Sequence, residues 1–186
     1  TGEILARAGS GTVSGGSGSY GGGDSSLVGQ WKFEEGSGTT AADTSNYGNA
    51  GTLQNFACTT LDCNANSGWT SAGRIGKAIT FDGTEDYVKL TPSNSLKFTG
   101  AQSFTVSTWI KTTTIIYGHT FSTRSSWAQG YWLLQDTIGR PGFAFYNDAM
   151  VGNSIFSVTA INNGQWHHVA GVYDSSSGMK LYVDGT

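Results

Sequence analysis

Beyond residue 26, apolar residues recur mostly at every second position, which is the period of a pleated strand and not of a helix. Residues 164–185 show this best. Trp166, His168, Ala170 and Val172 share one side of an extended chain, and His167, Val169, Gly171 and Tyr173 share the other; both sides are largely apolar. Such a run predicts a strand inside a sheet, with one face on a second sheet and the other under aromatics or loops. Residues 174–178, Asp-Ser-Ser-Ser-Gly, are turn formers, so Met179 to Val183 is predicted to return as the second arm of a hairpin.

The same period organises the rest of the chain. Phe104, Val106, Thr108 and Ile110 share a face opposite Trp109, and short strands are predicted over 115–123, 130–135, 142–146 and 153–159. Trp31 and Phe33, opposite Lys32 and Glu34, predict a first strand over 27–34. Residues 51–56 read as a short strand, and 73–90 as strand, Asp82-Gly83 turn and strand. A single helical turn is predicted near 94–98. Turn signals recur roughly every 8 to 12 residues, the spacing of an antiparallel two-sheet β-sandwich. Residues 1–26 are dominated by Gly and Ser and read as a flexible linker, with 4–8 as the end of whatever precedes it. One domain is expected over 27–186.

Composition supports an all-β chain. Charged residues make up 12%, about half the usual share, while aromatics reach 12% and there are 28 glycines. Gly, Ser, Thr and Asn are poor helix formers. A net charge of -3 with scattered Lys and Arg offers no basic face for a phosphate backbone, so nucleic acid is not an expected partner. No apolar run reaches the roughly 18 residues a membrane helix needs, so no membrane insertion is expected. Cys58 and Cys63 sit in one polar loop. They read as a local disulfide, pointing to an oxidising compartment, or as half of a metal site whose second pair is missing.

With these motifs in view the chain resembles the laminin G-like, concanavalin A-like jelly-roll domains. The resemblance rests on Val28-Gly-Gln-Trp31-Lys-Phe33, Asp43-Thr-Ser-Asn46-Tyr-Gly48-Asn49-Ala-Gly51, residues 73–83 with Phe81-Asp82-Gly83, Asp86-Tyr87-Val88, residues 104–111, and residues 166–174 with 181–185. It implies an all-β, antiparallel two-sheet jelly roll from about Leu27 onward whose final strands are expected beyond Thr186. It also implies a secreted or cell-surface protein with neighbouring domains. Tyr47 stands where such domains commonly have glycine, and the Cys58–Cys63 insertion lengthens the segment that follows.

Four chemistries can be weighed on named residues. Asp43, Asn46 and Asn49 offer oxygens on a Gly-rich loop, and Asp82 could join from an adjacent strand end; this set suits a structural calcium, and the resemblance favours the same loop. Asp, Asn and Gly are also what tight turns use. For carbohydrate, Trp127, Tyr131, Trp132 and Tyr146 offer ring faces, and Asn147 and Asp148 lie beside them; each could equally be core or turn. His167 and His168 are neighbours on a strand, face opposite ways and cannot grip one ion. Catalysis is not expected. No glutamate fits the paired-carboxylate spacing of jelly-roll glucanases, and Gly15-Gly-Ser17-Gly-Ser19 is an incomplete nucleophile elbow. The expected function is recognition of carbohydrate or an extracellular protein, with a structural spacer beside a hydrolase or adhesin as the alternative.

Overall fold

In the computed structural model, residues 4–6, 11–14, 26–63, 65–115, 117–123, 129–147, 149 and 152–186 are described, the first two segments as backbone only. Fourteen strands are defined among them. They are β1 (Ile4–Ala6), β2 (Gly11–Ser14), β3 (Thr40–Ala41), β4 (Gly51–Gln54), β5 (Gly68–Thr70), β6 (Ala78–Phe81) and β7 (Tyr87–Leu90). The rest are β8 (Phe104–Thr112), β9 (Gly118–Ser122), β10 (Gly130–Gln135), β11 (Pro141–Tyr146), β12 (Gly152–Phe156), β13 (Trp166–Asp174) and β14 (Gly178–Val183). One turn of 3-10 helix, Asn94–Leu96, is capped by Ser93, whose hydroxyl accepts from the Ser95 amide.

All pairings are antiparallel. One layer is a six-stranded sheet in the order β14-β13-β8-β2-β6-β5. The other holds two four-stranded sheets, β3-β4-β7-β1 and β9-β10-β11-β12, which meet where β1 lies along β9. Strands β11 and β12 face β13 and β14 across the interior.

The hairpin of β13 and β14 follows its sequence, paired from Val169↔Val183 to Asp174↔Gly178. One carboxylate oxygen of Asp174 accepts from the Ser176 amide at 2.8 Å, the Ser176 hydroxyl at 2.6 Å and the Ser177 amide at 3.0 Å. These bonds, the Ser176 hydroxyl first, pull its pKa down to about 2. Gly178 then takes φ 88°, open to glycine without strain.

Alternation sets the cores. Phe104, Ile110, Tyr131, Leu133, Phe143, Phe145, Ile161 and Val169 form one buried cluster. Phe33, Ala41, Leu53, Trp69, Ile79, Phe81, Val88, Leu90 and Leu96 form another, and Phe121 packs against both. Two half-cores thus lie side by side, one built largely from β3 to β7 and one from β8 to β14, and on the other face of β10 and β11 Trp132, Leu134 and Ala144 form a third, smaller buried cluster with Tyr146 packed against it.

Three sequence expectations change. Residues 1–26 read as a linker, yet they contribute two strands. β1 pairs with β7, and β2 lies between β6 and β8, so this segment joins the two halves in both layers. The Ile-Leu-Ala and Thr-Val runs are short, and averaging over the surrounding glycines conceals them. Ladder bonds are made by the backbone, which composition does not report. The predicted strand over 27–34 is no strand: Trp31 makes only an isolated bridge to Asp43, and Phe33 takes φ 57°. That left-handed residue breaks the alternation and turns Phe33 into the core at 6% exposure. Finally, β6 and β7 flank the Asp82-Gly83 turn as expected but belong to opposite layers.

Candidate functional site

The loop proposed for calcium is organised by its own donors. Asp43 Oδ1 accepts from the amides of Gln30 (2.8 Å) and Ser45 (2.9 Å). Its Oδ2 accepts from the Ser45 hydroxyl and the Asn49 amide, both at 2.7 Å. Partial burial alone would raise this carboxyl's pKa, but the amides of Gln30, Ser45 and Asn49 and the Ser45 hydroxyl outweigh it and hold the group below the usual range. Asn49 is 4% exposed and faces inward, its Nδ2 donating to the Val28 carbonyl at 2.7 Å and Ser95 Oγ at 2.9 Å, while its carbonyl accepts from Trp31 Nε1. Asn46 is exposed.

Asp82 belongs to a different group. Its Oδ1 accepts from the Thr84 amide and hydroxyl, which lower its pKa, while its own amide donates to Asp86. Asp86 is 3% exposed, and burial pushes its pKa up. Both Asp43 oxygens already accept two donors, so the set fits a self-satisfied turn better than an oxygen cage. Among the described residues no three His, Cys, Asp or Glu side chains converge as metal ligands.

The ring candidates divide by strand parity. Tyr131 faces the interior at 3% exposure, with ring centres 4.7 Å from Phe104, 5.4 Å from Phe98 and 5.8 Å from Phe121. Burial drives its hydroxyl pKa up. Tyr131 therefore packs in the core between the layers: alternation turns it and Leu133 to that side and Trp132 and Leu134 to the opposite face of β10, where they are also largely buried.

On that outer face Trp132 and Tyr146 stack, with ring centres 5.5 Å apart and planes 2° apart. His119 continues the row at 6.1 Å from Trp132, and Tyr117 follows at 5.7 Å from His119. Trp132 is the floor of the row at 7% exposure, whereas Tyr117 is 52% exposed. Asn147 follows Tyr146 and accepts from the Ala149 amide. Trp127 and Asp148 lie outside the described residues. Sequence reasoning missed Tyr117 and His119; their spacing of two, just ahead of an aromatic strand, was the available signal.

His167 and His168 do face apart. His167 sits between Asp184 Oδ2 (Nδ1, 2.7 Å) and Asn163 Oδ1 (Nε2, 3.0 Å), while the His168 ring lies 5.2 Å from Trp109. Asp184 also accepts from the His168 amide, so it ties the end of the hairpin to β13. Cys58 and Cys63 form a disulfide.

A family model for laminin G domains, described as the concanavalin A-like lectin/glucanases superfamily, matches residues 82–186. The chain belongs to this family. No curated protein and no solved structure matches it well enough to add to that. The matched span of this laminin G-like domain runs from the Asp82 turn through β14, so it contains the whole Tyr117–His119–Trp132–Tyr146 row. Of the chain's glutamates, Glu3, Glu34 and Glu35 lie outside it and Glu85 lies inside it, beside Asp86. Glu34 accepts from the Lys77 amide and Glu35 from the Ala42 amide, each holding a loop.

Proposed function

We propose that this laminin G-like domain is a non-catalytic recognition module of a secreted or surface-attached protein, and that it takes carbohydrate on the outer face of β9, β10 and β11. The observation that carries this reading is the aromatic row from Tyr117 to Tyr146. A pyranose presents an apolar face that stacks on such rings, while amides and hydroxyls beside them bond its hydroxyls. Tyr117 supplies the open ring and Tyr146 a half-buried one, over the Trp132 floor. His119 and Asn147 supply polar atoms along the same line. The disulfide and the family favour an extracellular setting.

A glycan array on the full chain tests this reading. Saturable binding that weakens about 10-fold in Tyr117→Ala, the size of one lost ring contact of about 1.4 kcal/mol, supports it. The spacer alternative is supported instead by a normally folded chain that binds no glycan. Binding unchanged in Tyr117→Ala would move the site elsewhere.

A further inference from the structure

At the entry to β13 the His167 ring has an oxygen against each of its nitrogens. Nδ1 lies 2.7 Å from Asp184 Oδ2, and Nε2 lies 3.0 Å from Asn163 Oδ1. A third residue fixes the identity of the second oxygen. The Gln165 amide donates to the same Asn163 Oδ1 at 2.9 Å, and a side-chain NH2 turned to that position would set donor against donor. Asp184 is an acceptor too. Its other oxygen accepts from the His168 amide at 2.8 Å, and its bonds to His167 and to that amide outweigh partial burial and hold the carboxyl below the usual range. Two acceptors therefore face one ring. A neutral imidazole carries one N–H and satisfies only one of them, whereas the imidazolium carries two and satisfies both. The His167 side chain is 15% exposed, so water does not simply replace a missing partner.

The neighbouring charges are engaged elsewhere. On β8 the residue opposite His167 is Ile110. By alternation His168 and Lys111 lie on the other face of the sheet, His168 against Trp109. On the 136–140 turn, where Gly139 O accepts from the Ile161 amide, Asp136 and Arg140 pair with each other at 2.7 Å. Among the described residues Asp184 is the charged group bonded to the His167 ring.

We propose that His167 is a proton-controlled clasp: charged, it ties the 183–186 turn to the 163–165 turn across the start of β13, and loss of its proton releases the 163–165 turn. The carboxylate keeps the remaining N–H, because a bond to an ionised acceptor is the stronger of the two. Nε2 then presents a lone pair to Asn163 Oδ1. Asn163 is exposed and relieves this contact by swinging away or by turning its amide over, and in either case Gln165 loses its acceptor. Gly164, whose amide donates to the Thr112 carbonyl at 3.0 Å, still anchors the segment. The clasp is closed in acid and opens as pH rises through the imidazole range. It lies apart from the carbohydrate row and stands independently of it.

The test follows imidazole and backbone-amide signals of the full, isotope-labelled chain between about pH 5 and 8. The Gln165 amide is expected to shift at the same midpoint as the His167 ring. Its hydrogen exchange is expected to rise about 10-fold more than that of Ser177, the size of one lost hydrogen bond, since Ser177 is held by an Asp174 carboxylate that stays ionised throughout. His168→Gln is expected to leave both readouts in place and His167→Gln to abolish them; the parent and His168→Gln decide between outcomes even where His167→Gln does not fold. A Gln165 amide that stays still while His167 titrates, that follows His168 instead, or that exchanges in step with Ser177 overturns the proposal.

Discussion

Gly171→Ala tests the meeting of the two layers at its tightest point. Gly171 lies in β13, opposite Val106 on one side and Leu181 on the other. Across the interior Phe143 of β11 occupies the space above it. A Cβ built on Gly171 would stand 2.3 Å from Phe143 Cγ and 2.4 Å from its Cδ2. Contacts between carbons are most favourable at about 3.5–4.0 Å, so the overlap exceeds an ångström. Phe143 has no exposed surface and is held edge-on by Phe104, so it has nowhere to retreat. Overpacking of this kind costs about 1–3 kcal/mol, and an overlap this deep belongs near the top of that range. The backbone at Gly171 is outside the left-handed region, so alanine recovers roughly 0.4–1 kcal/mol by restricting the unfolded chain. The net loss is about 2 kcal/mol, or roughly 4–8 °C in Tm for a chain of this size. Urea denaturation followed by tryptophan fluorescence measures it. Phe143→Ala alone should lose about 3–5 kcal/mol, but the double variant should lose about 1–2 kcal/mol less than the sum, because the added methyl then enters the vacated space. A Gly171→Ala chain as stable as its parent, or strict additivity with Phe143→Ala, would refute the packing described.

Asp43→Ala removes the acceptor of three amides and is expected to lose about 1.5–3 kcal/mol at pH 7 in the same urea assay. Asp43 and Asp184 are both held below the usual carboxyl range, Asp184 because its bonds to His167 and the His168 amide outweigh partial burial. Their stabilisation is complete above the unfolded value of about 3.9 and is lost as pH falls through the folded values, so the gap between parent and Asp43→Ala should close below about pH 4; a constant gap would show that the charge is not involved. Chelation with EDTA should leave the melting temperature unchanged, since both Asp43 oxygens are occupied by protein donors, whereas a calcium-dependent rise abolished by Asp43→Ala would show that this loop holds the ion. Replacing Cys58 and Cys63 together by Ser opens a loop of sequence separation 5 and should cost about 2 kcal/mol by chain entropy, read as a lower Tm; no change would mean that the loop is ordered without it.

Period-two alternation made the β13–β14 hairpin, β8 and β10 legible from sequence, because both faces of these strands have a defined neighbour. Residues 27–34 were misread for a local reason: alternation assumes extended backbone throughout, and one left-handed residue, Phe33, reverses which side the chain presents. The strands at 4–6 and 11–14 were hidden because their stabilisation comes from main-chain partners far along the sequence. The candidate site was half legible. Trp132 and Tyr146 stand on the outer face, but Tyr131, one residue away from Trp132, is core. Choosing between them needs to know which face of β10 meets the other layer, and Tyr131 and Trp132 are equally aromatic. Asp43 was singled out as a calcium ligand; the structure shows it accepting from four protein donors, and spacing alone cannot distinguish a carboxylate that holds an ion from one that only organises its loop.

Indole-nitrogen spectra during titration with a glycan drawn from the array bear most directly on recognition at the outer face. Trp132 lies in the row, whereas Trp69 is 2% exposed and donates to the Gly38 carbonyl in the other half-core. The expected result is a saturable shift of the Trp132 signal with Trp69 unmoved. A glycan that binds while Trp132 stays still, or that moves both signals alike, would contradict a carbohydrate site built on Tyr117, His119, Trp132 and Tyr146.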